Sequence, residues 1–268
     1  MAQRIDSAMV ELGLAQSRER AKALIMEGVV LLNGVRVQKA SETFFEGQSI
    51  EIKNNPIPFV SRGGLKLQKA VDCYGIVLSD RICIDVGAST GGFTDCMLVH
   101  GAKKVYAVDV GYGQLDWRLR NDPRVICMER HNARLMEPGW FDEIPSFASV
   151  DVSFISIKLI LPRLAECLAE DGEAVILVKP QFEAGRRKVG KNGVVRESST
   201  HEEVLKDAIS FALDNGFSIK AMDYSPITGP KGNIEFLLYL SRSKEMQDAL
   251  SLSEQAKRTV MLAHENLD

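Results

Sequence analysis

Two lysines and two carboxylates, far apart in the chain, are the residues whose types could do chemistry together: Lys66, Asp151, Lys179 and Glu235. Asp151 closes one apolar run of the sequence and Lys179 closes another. Charged side chains are seldom buried without partners, so two of them at the ends of two buried strands indicate a site. Lysines interleaved with carboxylates can perturb each other's pKa values and activate a weak nucleophile.

Alternating strand and helix patterns must position these four residues. The sequence predicts strands at 82–86, 104–109, 124–128, 147–151, 174–179, 217–224 and 234–240, with helices notably at 157–169 and 200–215. Such alternation predicts an α/β fold with a seven-strand, mostly parallel sheet, and the last two strands predict an antiparallel hairpin at one edge. In open parallel sheets the ligand crevice lies beyond the carboxyl ends of the strands, which is where Asp151 and Lys179 fall.

A glycine-rich turn after the first of these strands predicts a nucleotide-type cofactor. The stretch IDVGASTGGFT places Asp85 at the strand end, and Ser89 and Thr90 in the turn as possible hydrogen-bond donors. Glycine lets the backbone approach a ligand closely, and the turn carries Gly87, Gly91 and Gly92. Asp109 ends the next strand about 20 residues on, where an acidic residue can hold ribose hydroxyls.

The details of this turn favour S-adenosylmethionine (SAM) over a dinucleotide. Ser89 occupies the second glycine position of the dinucleotide motif G-x-G-x-x-G, and the sequence has no Walker-type G-K-[ST]. Asp85 suits the cationic amino group of SAM, and Asn132 is a candidate for a position near the adenine. Phe93 is a further candidate for cofactor binding. Phe93 and Phe182 could equally be core residues or residues that stack on a base.

The sequence predicts three parts: a separate N-terminal module at residues 1–58, a larger domain at residues 59–243 and a helical tail at residues 244–268. Apolar spacing predicts helices from Arg4 to Leu12 and from Arg18 to Glu27, the second capped by Ser17 and ended by Gly28. Short strands are predicted at 29–32, 35–37 and 49–52, with a hairpin turn at Asn33-Gly34. The prolines at 56 and 58 break regular structure and mark the boundary.

Composition limits the class of protein. Over 268 residues the apolar fraction is 45% and the charged fraction 26%, as in ordinary globular proteins, and no apolar run approaches the roughly 18 residues of a membrane span. Five cysteines form no C-x-x-C pair, which favours reduced thiols in a cytoplasmic protein without a metal site. The net charge of −3 means that any nucleic-acid binding must come from local patches.

The N-terminal module resembles a known RNA-binding domain. RIDSAMVELGLAQSRERAKALIMEGVVLLNGVRV, followed by GQSIEI, is similar to the alpha-L domain first named from a small-subunit ribosomal protein. In that family the second helix faces RNA, which implicates Arg18, Arg20 and Lys22, with Arg4 from the opening motif. The alternative is a solvated basic face. Phosphate contacts of this kind supply affinity and orientation but little sequence reading.

The remainder resembles the FtsJ-like class of SAM-dependent ribose 2′-O-methyltransferases, and the full chain is similar to the TlyA family, often labelled haemolysin A. The matching stretches are FVSRGGLKL, DVGASTGGFTD, VYAVDVGYGQLDWRLR, DVSFIS, LVKPQFEAGR and SPITGPKGNIEF. The resemblance implies a Rossmann-like methyltransferase fold, SAM as cofactor, and rRNA or ribosomal subunits as partners. It implies methylation of a cytidine in large-subunit rRNA, with small-subunit rRNA as a further candidate. The family's Lys-Asp-Lys-Glu tetrad falls on Lys66, Asp151, Lys179 and Glu235.

For such a reaction we expect Lys179 to be the proton acceptor or the partner of the developing oxyanion. Desolvation and the cationic Lys66 would lower its pKa, whereas nearby carboxylates would raise it, so both roles stay open. Asp151 and Glu235 would orient the lysines, Lys66 would hold the ribose or a flanking phosphate, and positioning would supply much of the rate. Nothing in this chemistry requires a metal.

Several basic residues outside the tetrad are candidates for RNA contact. They are Arg62 before two glycines, Arg186, Arg187 and Lys188 in the stretch RRKVGK, and Lys231 in GPKGN. A plain solvated loop is the alternative for each stretch. The glycines and charges of residues 183–197 predict a segment that is mobile until substrate binds.

Two other functions remain to be compared with RNA methylation. One is an RNA-binding ribosome-assembly factor whose α/β domain is inactive, and the retained tetrad argues against it. The other is a membrane-active haemolysin, which should show an amphipathic or long apolar insertion segment. No such segment is visible in the sequence.

Overall fold

A computed structural model describes residues 2–15, 17–53, 58–243 and 245–267. It divides into two compact units, Met1–Pro58 and Phe59–Asp268. Residues 54–57, where the sequence predicts most of the linker, lie outside the described residues.

In the described part of the first unit there are two helices and two small antiparallel sheets. Its elements are β1 Ala2–Arg4, α1 Ile5–Glu11, α2 Arg18–Glu27, β2 Val30–Leu32, β3 Val35–Arg36, β4 Thr43–Phe45 and β5 Ile50–Ile52. Strand β2 lies between β3 and β5, and β1 pairs with β4. The sequence did not predict β1 and β4, because each spans only three residues and β1 runs directly into the periodic pattern of α1.

Local signals of the first unit behave as predicted. The Ser17 side chain accepts a hydrogen bond from the Arg20 amide and so caps α2, and Gly28 ends that helix at φ 75°. Asn33 and Gly34 both have positive φ, at 49° and 80°, which gives the tight turn between β2 and β3. A core of Ile5, Ala8, Met9, Leu24, Ile25, Val30 and Phe44 holds the unit together.

The second unit carries seven strands and seven helices within the described residues. They are α3 Gly64–Tyr74, β6 Ile82–Val86, α4 Gly92–Val99, β7 Lys104–Val108, α5 Trp117–Arg120, β8 Val125–Met128, β9 Phe147–Val150, α6 Leu161–Cys167, β10 Glu173–Val178, α7 Pro180–Glu183, α8 Ser198–Asp214, β11 Ser218–Tyr224, β12 Phe236–Ser241 and α9 Ala249–Leu267. The sheet has the order β11-β12-β10-β9-β6-β7-β8.

The predicted sheet is confirmed, including its edge. Strands β6 to β10 pair in parallel, and β12 alone runs against its two neighbours, β10 and β11. The central strands β7, β9 and β10 are buried on both faces, as expected when helices cover both sides of a parallel sheet. Because β12 is reversed, its first residues lie at the same edge as the last residues of β9 and β10.

Two helical segments differ from the sequence prediction. The helix expected at 157–169 is a 3₁₀ turn, Ile157–Leu159, followed by the shorter α6, which starts at Leu161 and keeps Pro162 in its first turn, where proline is tolerated. The segment expected as a C-terminal tail forms α9. Its apolar face, with Leu252, Ala256, Val260 and Ala263, packs into the core of the second unit.

Candidate active site

The four charged residues singled out from the sequence meet at the carboxyl edge of the sheet. Lys66 Nζ lies 2.6 Å from Glu235 Oε2 and 3.8 Å from Asp151 Oδ2. Lys179 Nζ lies 2.5 Å from Asp151 Oδ1. The residues therefore form a chain of alternating charge, Lys179–Asp151–Lys66–Glu235, whose formal charges cancel. We call it the Lys-Asp-Lys-Glu chain.

Strand register brings three of these residues together. Val178 of β10 pairs with Phe236 of β12, so the next residue of β10, Lys179, and the preceding residue of β12, Glu235, are neighbours beyond the last pair. Asp151 follows β9, which pairs with β10 on its other side. The sheet thus fixes the spacing of these groups before any ligand binds.

Lys66 reaches the site from helix α3, which is anchored one turn further along. Lys69 Nζ donates to the Tyr224 carbonyl at 2.7 Å and lies 2.9 Å from Asp223 Oδ2. These contacts tie α3 to the end of β11. The anchoring holds the preceding turn of the helix, and with it Lys66, against the start of β12.

The Lys-Asp-Lys-Glu chain is largely withdrawn from solvent. Lys66, Lys179 and Glu235 are 7%, 6% and 1% exposed, whereas Asp151 is partly exposed. Buried charges need partners, and here Lys179 also donates to Ser153 Oγ at 3.0 Å. Glu235 accepts a hydrogen bond from Gln181 Nε2 at 3.3 Å. The chain is therefore a built site and not a set of surface ion pairs.

A cavity of about 490 Å³ opens over these side chains. Besides all four members of the chain, it is lined by Ser61, Arg62, Gly63, Gly87, Ala88, Ser89, Thr90, Gly92, Phe93, Ser153, Phe154, Gln181, Phe182, Val189, Gly193, Pro230, Lys231 and Asn233. The structure thus brings most of the predicted turn residues to the predicted lysines and carboxylates. It also brings Arg62 and Lys231 to the same cavity.

A second cavity of about 530 Å³ adjoins the first and shares with it Gly87, Ser89, Asp151, Ser153 and Phe154. Asp109 and Asn132 line only this second cavity. Asp109 accepts hydrogen bonds from the amides of Ser89 at 2.8 Å and Gly111 at 2.6 Å, so it also shapes the wall. The two cavities therefore lie side by side at the carboxyl edge and share part of their walls.

Gly87 is required where the glycine-rich turn passes Asp151 at the carboxyl edge of the sheet. It has φ +85°, and a Cβ at this position would lie 2.6 Å from the Asp151 carbonyl oxygen. A side chain there would displace either the turn or Asp151. This close approach explains why the first glycine of the predicted motif is present.

Two predicted cofactor residues lie outside both cavities, so their contact with the cofactor stays a prediction. Asp85 is fully buried and accepts hydrogen bonds from the Thr94 amide and hydroxyl and from the Ser149 hydroxyl. Burial raises its pKa to about 6, against the lowering effect of those bonds. In this structure Asp85 therefore holds the first turn of α4. Gly91, at φ +94°, starts α4 and packs against Leu119.

The other predicted RNA-contact residues of the second unit, in the stretch 186–188, lie on a loop beside the first cavity. Arg186, Arg187 and Lys188 form an exposed 3₁₀ turn, and Lys188 pairs with Glu203 of α8. Arg186 also lines a neighbouring groove together with Phe154 and Phe182. The structure leaves their RNA contact a prediction.

In the first unit, two of the four predicted RNA-contact residues share one buried carboxylate. Arg4 donates through Nε and Nη2 to Asp6, and Arg18 Nη2 lies 3.1 Å from the same carboxylate. The Arg4 hydrogen bond and then Arg18 outweigh burial and lower the pKa of Asp6 to about 2. Arg18 and Lys22 are four residues apart on α2 and therefore lie on the same face of the helix, and Arg20 stands between them in sequence.

Sequence reasoning missed three residues of the site. Ser153 and Gln181 hydrogen-bond to the Lys-Asp-Lys-Glu chain, and each stands two positions after one of its members. Phe154 is 87% exposed and adopts φ +67°, a backbone conformation rare for a bulky residue, with its ring 5.3 Å from that of Phe182. The stretch DVSF after a predicted strand end was the available signal for Ser153 and Phe154.

Comparison with known families gives this geometry its context. Residues 59–242 match the FtsJ-like methyltransferase family, and residues 3–48 match the S4 domain. The chain belongs to the FtsJ-like methyltransferase family. The predicted fold and enzyme class are confirmed by this membership, and SAM is the cofactor that it implies.

Three relatives are similar over most of their length to this FtsJ-like methyltransferase. YqxC of Bacillus subtilis, provisionally named an rRNA methyltransferase, is 50% identical over 99% of this chain and 95% of its own. The 16S/23S rRNA (cytidine-2′-O)-methyltransferase TlyA of Mycobacterium tuberculosis is 40% identical over 88% of this chain and 89% of its own. A solved structure of a Streptococcus thermophilus protein that carries the name haemolysin is 50% identical in sequence, with a TM-score of 0.80. The match covers 99% of this chain and 96% of that one.

The residues present fit SAM. Two adjoining cavities along the carboxyl edge offer a carboxylate, Asp109, for ribose hydroxyls and a backbone turn, 87–90, for close approach. Asn132 lines the second cavity with Asp109, whereas Lys66, Lys179 and Glu235 line only the first and Asp151 lines both. In the described ranges no three His, Cys, Asp or Glu side chains are grouped so as to hold a metal ion. None of the described helices is long and apolar enough to cross a membrane.

Proposed function

We propose that this protein transfers the methyl group of SAM to a ribose 2′-hydroxyl of ribosomal RNA, with a cytidine of large-subunit rRNA as the target. The observation that carries the proposal is the buried Lys-Asp-Lys-Glu chain at the end of a cavity that fits SAM. The name of the mycobacterial TlyA relative supports the substrate. Small-subunit rRNA is a second substrate to be tested, and the cytoplasm is the expected location.

Asp109 and Asn132 would hold the nucleoside end of SAM in the second cavity, and the turn 87–90 would hold its remainder. When bound, SAM supplies a methyl group on a positively charged sulfur, which is a strong electrophile. The five residues shared by the two cavities, Asp151 among them, support a reactive centre beside Asp151. The ribose then enters from the first cavity, on the side of the two lysines.

Lys179 is the residue that meets the 2′-oxygen. Its ammonium is fixed between Asp151 Oδ1 and Ser153 Oγ, so it points to one place without reorganisation. The carbon–oxygen bond forms as the carbon–sulfur bond breaks, S-adenosylhomocysteine leaves as a neutral thioether, and the hydroxyl gives up its proton. Lys179 accepts this proton if it reacts as the neutral amine. As the ammonium it stabilises the partial negative charge on the oxygen while the proton passes to water, and in both cases Asp151 compensates the charge on Lys179.

Lys66 and Glu235 complete the arrangement on the substrate side. Glu235 keeps the Lys66 ammonium at 2.6 Å and, through Gln181, is tied to the segment that follows Lys179. Lys66 lines the cavity and is placed for the ribose or the adjoining phosphate. Positioning of this kind can account for much of the rate enhancement when the leaving group is good.

Phe154 and Phe182 offer an aromatic surface for a base at the cavity entrance. Phe154 lines both cavities and is exposed, and its strained backbone holds the ring there. A nucleotide in folded rRNA has to leave its stack to reach the site, at a cost of a few kcal/mol. Stacking on an aromatic ring returns about 1–3 kcal/mol per base.

The test is methyl transfer from labelled SAM to ribosomal subunits that lack the modification, followed by nucleoside analysis. We expect a 2′-O-methylated nucleoside that is lost in Lys179→Ala. Absence of transfer alongside measurable binding of SAM and RNA would favour the ribosome-assembly function. Absence of SAM binding would refute the cofactor assignment.

A further inference from the structure

Asn233 is a buried polar residue that the proposed mechanism does not use. It is 3% exposed, lines the first cavity and stands two positions before Glu235. Its side chain reaches a segment about 40 residues away in sequence. Oδ1 accepts from the Val195 amide at 3.0 Å, and Nδ2 donates to the Gly193 carbonyl at 2.9 Å.

The orientation of this amide group is fixed by its partners. A backbone N–H can only donate and a backbone carbonyl can only accept, so Oδ1 must face Val195 and Nδ2 must face Gly193. The Asn233 carbonyl also accepts from the Gly229 amide at 2.8 Å. No other uncharged side chain of similar size supplies the same donor and acceptor at these two points.

The two segments that Asn233 joins are compact turns. In one, Gly190 donates to Val194 at 3.0 Å and Gly193 donates to Gly190 at 2.9 Å. In the other, Gly232 donates to Gly229 at 2.9 Å, beside the Gly229–Asn233 bond. We call residues 190–195 and 229–233 the paired turns. Each has internal hydrogen bonds, and the Asn233 side chain connects them.

The paired turns carry exposed cations at the rim of the first cavity. Lys191 and Lys231 are exposed and line one groove together with Gly193. Gly193, at φ +75°, lies so close to Lys231 that a Cβ on it would be 3.4 Å from Lys231 Nζ. Buried Val194 and Val195 anchor the first turn. The two lysines are thereby presented beside one another.

We propose that Asn233 is a positioning residue that joins the paired turns into one RNA-binding element, with Lys191 and Lys231 held for the phosphates next to the reacting ribose. This inference rests on the proposed function and deepens it. Because Asn233 is two residues from Glu235, contact with RNA phosphate is coupled to the geometry of the Lys-Asp-Lys-Glu chain. The segment expected from the sequence to be mobile before substrate binds is thus tied down by a side chain.

The first arm of the test is limited proteolysis, which needs no enzymatic activity. Trypsin cleaves after Arg and Lys, and residues 186–191 offer four such positions next to the tie. We expect Asn233→Ala to speed cleavage there about ten-fold, since two hydrogen bonds no longer oppose local opening. Asn233→Asp keeps the acceptor but sets a carboxylate oxygen against the Gly193 carbonyl, so it should also open. Equal cleavage of wild type and both variants would overturn the proposal.

The second arm measures dissociation constants for ribosomal subunits and for SAM. We expect Asn233→Ala to weaken subunit binding about five- to ten-fold and to change SAM binding less than two-fold, a separation that general destabilisation would not give. Asn215→Ala is the matched control, because Asn215 also bonds a backbone carbonyl, that of Phe211, and lines neither cavity. Unchanged subunit binding would overturn the proposal even if cleavage increased.

These arms separate failure of this inference from failure of the proposed function. If the wild type binds subunits but methylates none, the proposed function fails, and cleavage and binding still decide the role of Asn233. If the wild type methylates subunits and Asn233→Ala matches it in cleavage and binding, only the present inference fails.

Discussion

Lys179 and Asp151 stand at the ends of neighbouring parallel strands, with ammonium nitrogen and carboxylate oxygen 2.5 Å apart. The register of β9 and β10 sets this separation, so the pair is preorganised by the sheet and not by the ligand. Asp151 is shared, since its other oxygen faces Lys66 at 3.8 Å. One carboxylate thus links Lys179, proposed to meet the 2′-oxygen, to Lys66, proposed to hold the ribose side.

Replacing Lys179 by Ala should lower kcat for methyl transfer at least 100-fold, because the group at the 2′-oxygen is lost. SAM binding should change less than about three-fold, since Asp109, Asn132 and the turn 87–90 are untouched. Initial rates with labelled SAM and calorimetric binding measure the two effects. Lys206→Ala, which removes an ion pair with Glu202 on α8, serves as control. A Lys179→Ala enzyme of near wild-type kcat would refute the assigned role.

Lys66 and Glu235 should be strongly coupled in stability. Removing Glu235 leaves a buried ammonium with its remaining carboxylate at 3.8 Å, so Glu235→Ala should lower the free energy of unfolding by about 3 kcal/mol. Adding Lys66→Met should recover part of this loss. Urea unfolding of both single variants and the double variant gives the coupling energy.

The exposed pair Lys220–Glu245 provides the comparison for this cycle. Its coupling should stay within about 1 kcal/mol, as is usual for surface ion pairs. A buried coupling no larger than the surface one would show that the site does not depend on this contact.

Gly87→Ala should disturb both the turn and Asp151. Any non-glycine residue at φ +85° costs about 1–2 kcal/mol, and here the methyl group would also meet the Asp151 carbonyl. Gly75→Ala isolates the first effect, since Gly75 has φ +62° with nothing within 4 Å of a Cβ. We expect only Gly87→Ala to weaken SAM binding, by ten-fold or more. Equal SAM affinities in the two variants would mean that the close approach is unimportant.

Glu129 supports the wall of the second cavity and should affect SAM binding. It accepts from the amides of Gly113, Gln114 and Leu115 and pairs with Arg120 at 2.7 Å. Burial alone would raise its pKa, but these donors outweigh burial and lower the pKa to about 2. Glu129→Gln should therefore raise the SAM dissociation constant several-fold with little change in kcat.

The lowered pKa of Glu129 also predicts how the stability of the fold depends on pH. A carboxyl whose folded pKa lies below its ordinary 4.5 stabilises the fold above about pH 4.5, and this contribution is lost as pH falls toward 2. Glu129→Gln should make the free energy of unfolding depend less on pH in this acidic range. Glu143→Gln should have the same effect, since Lys104 and Lys103 lower the pKa of Glu143 to about 2, but Glu143 lines neither cavity and its loss should leave SAM binding intact.

In the N-terminal unit, Arg18→Ala should weaken RNA binding in a salt-dependent way. If Arg18 neutralises one phosphate, the slope of log K against log salt should become shallower by about 0.7–0.9. Lys257→Ala removes a charge from the exposed face of α9 and should leave the slope unchanged. Binding titrations at several salt concentrations decide the matter. Identical slopes for all three proteins would remove Arg18 from the RNA contact.

The sequence predicted the site where residue type and strand position coincide. Asp151 and Lys179 each follow a buried strand, and the parallel sheet makes such positions converge. Glu235 was singled out with them, but it precedes β12 and reaches the same edge only because that strand is reversed, as the predicted hairpin requires. Lys66 was singled out as well, although it lies on a helix outside the sheet.

The features that could not be predicted from the sequence depend on contacts between segments far apart in the chain. Asp85 ends a strand as Asp151 does, yet Thr94 and Ser149 occupy its carboxylate, and no local pattern reveals that. Asn233 and Glu129 likewise act on partners that only the folded chain brings near. Short strands such as β1 and β4 escape because three residues carry too little periodicity to detect.

The reversed strand β12 also sets when the Lys-Asp-Lys-Glu chain can be completed during synthesis of the protein. Lys66 is made early, but its closest carboxylate belongs to Glu235, and β12 must pair with β10 before the two can meet. Until then the Lys66 ammonium is better left in water than buried. A nascent protein can therefore assemble these four residues only after residue 235 and β12 have been made, so a shorter product cannot carry the proposed site.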